Sequence, residues 1–208
     1  MNRKAISTSL GAALAALAIL SAVFAASAGA APAWKFEGKS LEGTETVLGA
    51  AIDSSMTIPG LTTKCENFLY KLTIKNEAGT GKGEVTEVPL FNCTTNSAVC
   101  FVKTIAAETL PWPAKLTTVA PSNYIVIEGV KVSILYEGSK CVLGGTKVVV
   151  TGSAGGLIDN PTETATFNAT TLTATGTSLK ALGQKIEWNG VFPTEAFEWH
   201  REQALSVS

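Results

Sequence analysis

The chain has 208 residues, of which 46% are hydrophobic and 16% charged, with 16 Lys and Arg against 17 Asp and Glu. That balance excludes the basic excess of a nucleic-acid binder and the polar, highly charged composition of a disordered chain. A single histidine excludes a two-imidazole zinc site. Asp53 and Asp159 are the only aspartates, which argues against clustered-carboxylate calcium loops. No metal, cofactor or nucleic-acid partner is expected.

The N-terminus reads as a signal peptide. Arg3 and Lys4 form a short positive region, Leu10 to Phe24 is almost wholly apolar, and small residues follow from Ala25 to Ala33. Cleavage fits after Ala28, Ala30 or Ala33, and Ala30 is preferred. Residues 1–30 are then the signal peptide and 31–208 a single domain. Loss of Arg3 and Lys4 takes the net charge from −1 to −3. A domain of that size buries about 70% of its unfolded surface. No later segment is apolar enough to span a membrane as a helix.

The remainder is rich in threonine and valine, in short alternating runs broken by glycine, proline and asparagine. That pattern predicts an all-β fold, an antiparallel β-sandwich or Greek-key barrel of about ten to thirteen strands. Phe68, Tyr70, Leu72 and Ile74 share one strand face, as do Val130, Val132, Ile134 and Tyr136. Lys147 to Thr151 reads as a central strand. Ala165 and Phe167, and later Phe197 and Trp199, repeat the alternation. Thr177 to Leu182 allows one short helical turn.

The clearest local unit is a hairpin of strands 66–75 and 82–91 around Gly79. In that register Cys65 faces Cys93, which predicts the disulfides Cys65–Cys93 and Cys100–Cys141; a bridge that closes a loop of about 27 residues is worth roughly 3 kcal/mol. The alternative is Cys93–Cys100 with Cys65–Cys141. Four cysteines without a C-x-x-C in an exported chain point to disulfides, not to metal or redox chemistry.

Several motifs tempt. Val148 to Ile158 resembles a dinucleotide-binding turn, but Ile158 replaces the last glycine and Asn160-Pro161 blocks the helix that would follow. Gly81-Lys82-Gly83 lacks the hydroxyl residue of a phosphate loop. His200 has no G-x-S-x-G partner and reads as an outer strand residue. The sequons at Asn92 and Asn168 carry no assigned function. No catalytic residue is expected. An enzymatic alternative is a carboxylate-dependent glycan hydrolase using Glu187, Glu195 or Glu198 near Trp188 and Trp199. The candidate ligand-binding residues are Trp112, held between Pro111 and Pro113, and Tyr124. Trp112 reads either as an exposed stacking platform or as a core plug.

The small-residue leader, Leu90-Phe91-Asn92-Cys93-Thr94, Leu110-Pro111-Trp112 and Ser139-Lys140-Cys141 together resemble a group of secreted, β-rich bacterial proteins of about 200 residues. The resemblance implies an exported bacterial product and transfers no site residues. The expected function is that of a non-catalytic protein of the cell envelope or extracellular space, acting by surface recognition or as a structural component. Its partner is an envelope glycan or a protein; the remaining alternative is a partner module such as an inhibitor or adhesin.

Overall fold

The computed structural model describes residues 30–193 and 205–208; Ile52 and Asp53 are described by their backbone alone. The described chain is all-β, as the alternation predicts. Its strands are β1 (Trp34–Phe36), β2 (Lys39–Ser40), β3 (Thr44–Ile58), β4 (Leu61–Glu77), β5 (Thr80–Glu87), β6 (Leu90–Thr95) and β7 (Phe101–Ala107). They continue with β8 (Trp112–Val119), β9 (Ser122–Glu137), β10 (Lys147–Asp159), β11 (Thr164–Phe167), β12 (Leu179–Ala181), β13 (Gln184–Pro193) and β14 (Leu205–Val207). One short helix, α1 (Ala169–Ala174), stands between β11 and β12. The helical turn expected at 177–182 is replaced by this helix and by β12. Asn168 is the reason: it caps α1 by accepting the Thr171 amide at 3.0 Å, while Thr171 Oγ1 accepts the Asn168 amide at 2.9 Å.

The strands close into a ring. β13 pairs with β3, β3 with β4, β4 with β5 and β6, β5 with β8, β8 and β7 with β9, and β9 with β10. β10 then returns to β13 through β11 and β12, which pair with both. β5 with β6, β7 with β8, and β11 with β12 each act as one interrupted stave. The ring therefore has eight antiparallel staves in chain order, closed through β5–β8, while β6 and β7 pair on one side each, with β4 and with β9. The connections run between neighbours, so the barrel is an up-and-down one and not a Greek key.

Alternation assigns the two faces. Val47, Phe68, Leu72, Ile74, Val132, Ile134, Val148, Val150, Trp188 and Phe192 point inward and are buried. Lys64, Lys75, Glu84, Lys115, Lys147 and Glu187 are exposed on the outer wall. A charged exterior around an apolar interior is the reverse of a membrane-spanning barrel. Inside, Phe167 stacks on Trp188 with centroids 4.7 Å apart, and Phe192 meets Phe68 edge-on at 5.1 Å.

The hairpin register contains one slip. The turn takes only Ala78 and Gly79, both at positive φ (52° and 77°), so the strands run further toward it than the composition suggests. A bulge between Lys71 and Leu72 on the β4 side leaves Thr86 as the extra residue. That slip brings Cys65 opposite Cys93. The disulfides are Cys65–Cys93, with Cα atoms 4.0 Å apart, and Cys100–Cys141, at 4.7 Å.

One end of the barrel is closed by a three-stranded clasp, β14-β1-β2. Ala33 N donates to Ser208 O at 3.0 Å and Gly81 N to Pro32 O at 2.8 Å. Asn76 accepts from Trp34 N and donates to Trp34 O, at 2.8 and 2.9 Å. Asn160 likewise brackets Val207, accepting from its amide at 2.9 Å and donating to its carbonyl at 2.7 Å. Trp34 and Leu205 drop from this clasp into the barrel mouth, each 2% exposed.

Candidate functional site

Two of the concave regions among the described residues hold or adjoin the residues singled out in the sequence. The first is the barrel interior, where a cavity of about 50 Å³ remains between Trp34, Phe68, Trp112, Phe167, Trp188 and Phe192. Its lining is apolar, and a small apolar void stays dry. Drug-sized ligands occupy roughly 300–1,000 Å³, so the interior is a packed core and not a ligand chamber. Trp112 belongs to it. The indole is 2% exposed and donates to Glu108 O at 2.9 Å. The core-plug reading of Trp112 is the one realised, and the exposed stacking platform is not formed. Its prolines do not keep it out of a strand either. Pro113 pairs with Glu84 on one side, and the ladder to β9 begins only at Ala114, so the missing amide is tolerated there.

Tyr124 lies elsewhere. It pairs with Thr117 on β8 and Leu157 on β10, and it alternates with the inward Ile125. The ring is half-buried on the outer wall. Trp112 and Tyr124 therefore stand on opposite faces of the barrel wall and do not share one site.

The second concave region is a trough of about 660 Å³ on that outer wall. Its floor is formed by Lys115 and Thr117 on β8, Val126 and Glu128 on β9, and Thr151 to Ser153 on β10. Its bank is the segment Thr175 to Ser178 that follows α1, ending at Lys180 on β12. Tyr124, beside Thr117, stands next to this floor. The glycines of Gly152-Ser153-Ala154-Gly155-Gly156 build the trough. They lie inside β10, not in a turn, and each admits a neighbour that a Cβ would strike. Phe167 approaches Gly156 from within, its ring 2.6 Å from where a Cβ would sit. Thr175 rests on Gly155 from outside, and the Ser178 carbonyl rests on Gly152. A register shift between Gly152 and Ala154 frees Ser153 N to donate to Ser178 O at 3.0 Å.

Electrostatically the trough is mixed. Lys115 and Glu128 form an ion pair at 2.6 Å. The hydroxyls of Thr117, Thr151, Ser153 and Ser178 make no hydrogen bond among the described residues. The strongest charge cluster lies outside it. Glu108 accepts from Lys147 at 2.6 Å and Lys131 at 3.2 Å. Hydrogen bonds from Lys147, Ser133 and Lys131 hold its carboxyl at about 2, against an ordinary 4.5. A carboxylate with a lowered pKa stabilises the fold above the unfolded value and loses that effect as pH falls. The stability gap between wild type and Glu108→Gln is therefore widest above pH 4.5 and closes as pH falls toward 2. Thermal melts across that range check this; parallel curves would show that the cluster does not favour the native state.

Glu187 is exposed on the outer wall opposite Thr57. Trp188, next to it, points inward and donates to Ser54 Oγ at 2.9 Å. The glutamate and the aromatic cluster are thus separated by the wall, and no carboxylate lines the aromatic cavity among the described residues. Glu195, Glu198, Trp199 and His200 lie outside the described residues, as does the 1–29 segment read as a leader. No group of metal-ligating side chains occurs among the described residues. Comparison with protein-family models, curated proteins and solved structures finds no match.

Proposed function

We propose that the chain is an exported, non-catalytic binding protein of the cell envelope or extracellular space, a disulfide-stapled barrel that presents its outer wall to a partner. The observation that carries this reading is the pair of disulfides, with no free cysteine. Such bridges persist in oxidising compartments. The filled interior moves any recognition to the outside, where the trough offers a concave surface of ligand size.

The clasp argues against processing after Ala33, the latest of the three sites. Pro32 and Ala33 contribute bonds to Gly81 and Ser208, which cleavage after Ala33 would remove. Fractionation of the native cells is expected to place the protein outside the cytoplasm, beginning at Ala31, with all four cysteines protected from alkylation until reduced. A cytoplasmic protein with reactive thiols would sink the reading.

A second reading, contact with a protein through a surface other than the trough, rests on a separate observation. Val99, Phe101 and Val142 are exposed beside Cys100–Cys141, with Val142 at 96%. Exposed apolar side chains that lie together as one patch, unlike single scattered ones, suit a protein contact.

A further inference from the structure

The trough on the outer wall combines four features. Its volume suits a short oligomer of small polar units. Four hydroxyls, those of Thr117, Thr151, Ser153 and Ser178, are left without partners among the described residues, and each can donate and accept. The Lys115–Glu128 pair adds charged donors and acceptors at the floor. Finally, Lys180 faces Thr151 on one side and stands directly opposite Lys185 on the other.

The last feature is costly. Like charges directly opposite in an antiparallel pair are destabilising. Neither lysine has an ion pair among the described residues, and both are exposed. Lys75, Lys82 and Lys115 also stand opposite one another on the outer wall, but they, like Lys71, Lys131 and Lys147, each reach a glutamate; Lys103 on β7, away from the trough, has no ion pair among the described residues. An uncompensated cation at the lip of a hydroxyl-lined trough is a place for an anion that also carries hydroxyls.

We propose that this trough binds an acidic saccharide, its sugar hydroxyls bonded to the four free hydroxyls and its carboxylate held by Lys180 with Lys185 behind. The glycines of β10 serve the site by letting the Thr175–Ser178 bank lie directly on the wall. This proposal rests on the reading of the chain as an exported binding protein and names the ligand class for it.

The test uses the disulfide-bonded protein, a short oligogalacturonate and a neutral galacto-oligosaccharide of equal length. Binding is followed by calorimetry and by amide shifts of Gly152, Ser153 and Gly176. The acidic chain is expected to bind and to shift those amides, and the neutral one to bind more weakly. Lys180→Gln is expected to lower affinity about tenfold, as loss of one charge-assisted bond does. Ser153→Ala lowers it less, and Lys71→Gln, on another part of the wall, leaves it unchanged. Absence of binding by either oligosaccharide, equal binding of both, or an equal loss with Lys71→Gln overturns the proposal. Fractionation reads the compartment independently, so failure here in an exported, disulfide-bonded protein overturns the trough and leaves the export reading standing.

Discussion

Trp34→Ala is expected to cost about 3–5 kcal/mol, the range for truncating a buried tryptophan. The side chain does three things at once. It fills the barrel mouth at 2% exposure, it lines the residual cavity, and its indole N–H donates to Lys82 O at 3.0 Å. Truncation enlarges an existing void, and the surrounding wall is a closed ring that relaxes little. Small domains have about 5–15 kcal/mol in hand, so the variant stays folded at low temperature but melts some 10 °C or more below wild type. Trp34→Phe keeps most of the volume and loses the hydrogen bond, and is expected to cost about a third as much. Urea unfolding measures both. A loss below 1 kcal/mol for Trp34→Ala would mean that the clasp does not seal the barrel.

Removing the disulfides is the second large effect. Their loops span 28 and 41 residues, so loop-closure entropy assigns about 3.5–4 kcal/mol to each. Alanine replacement of one pair therefore leaves a weakened but folded barrel. Replacement of both removes about 7–8 kcal/mol, comparable with the whole stability of an average domain. The four-alanine protein is expected to be largely unfolded at 37 °C while each two-alanine protein is folded, as read by near-ultraviolet dichroism. Non-reducing peptide mapping of the wild type is expected to recover Cys65 with Cys93. A Cys93–Cys100 peptide would refute the β4–β6 register itself.

Much of the wall was legible from alternation, because a strand with one buried face must repeat every second residue. Val130, Val132, Ile134 and Tyr136 are buried as their spacing predicts, and the cysteine pairing followed from one hairpin. The cysteine register expected from a fold-back at Gly79 is the one formed, although the turn is tighter and a bulge at Thr86 makes up the difference. Three things were not legible. Ring closure depends on β13 meeting β3 across most of the chain, and local patterns carry no information on such pairings. The clasp is built from three-residue strands, too short for any periodicity. The trough arises from glycines that read as a turn in sequence yet are strand residues relieved of side chains so that other segments can lie on them. The capping signal Asn168 with Thr171 was available and unread. For Trp112, flanking prolines allowed either an exposed platform or a core plug, and the inward alternation of Trp112, Ala114 and Leu116 decides for the plug.

The pairing of β1 with β14 has a mechanical meaning. Ala33 and Ser208 are hydrogen-bonded neighbours, so a tension applied between them loads the clasp one rung at a time, as a zipper opens, and not all rungs together. The rungs that open first under such a pull are therefore those of the clasp and not those of the β13–β3 seam that closes the ring. Tension between Ala33 and Ser208 is thus met by the clasp first, while the pairs tied by Cys65–Cys93 and Cys100–Cys141 stay closed.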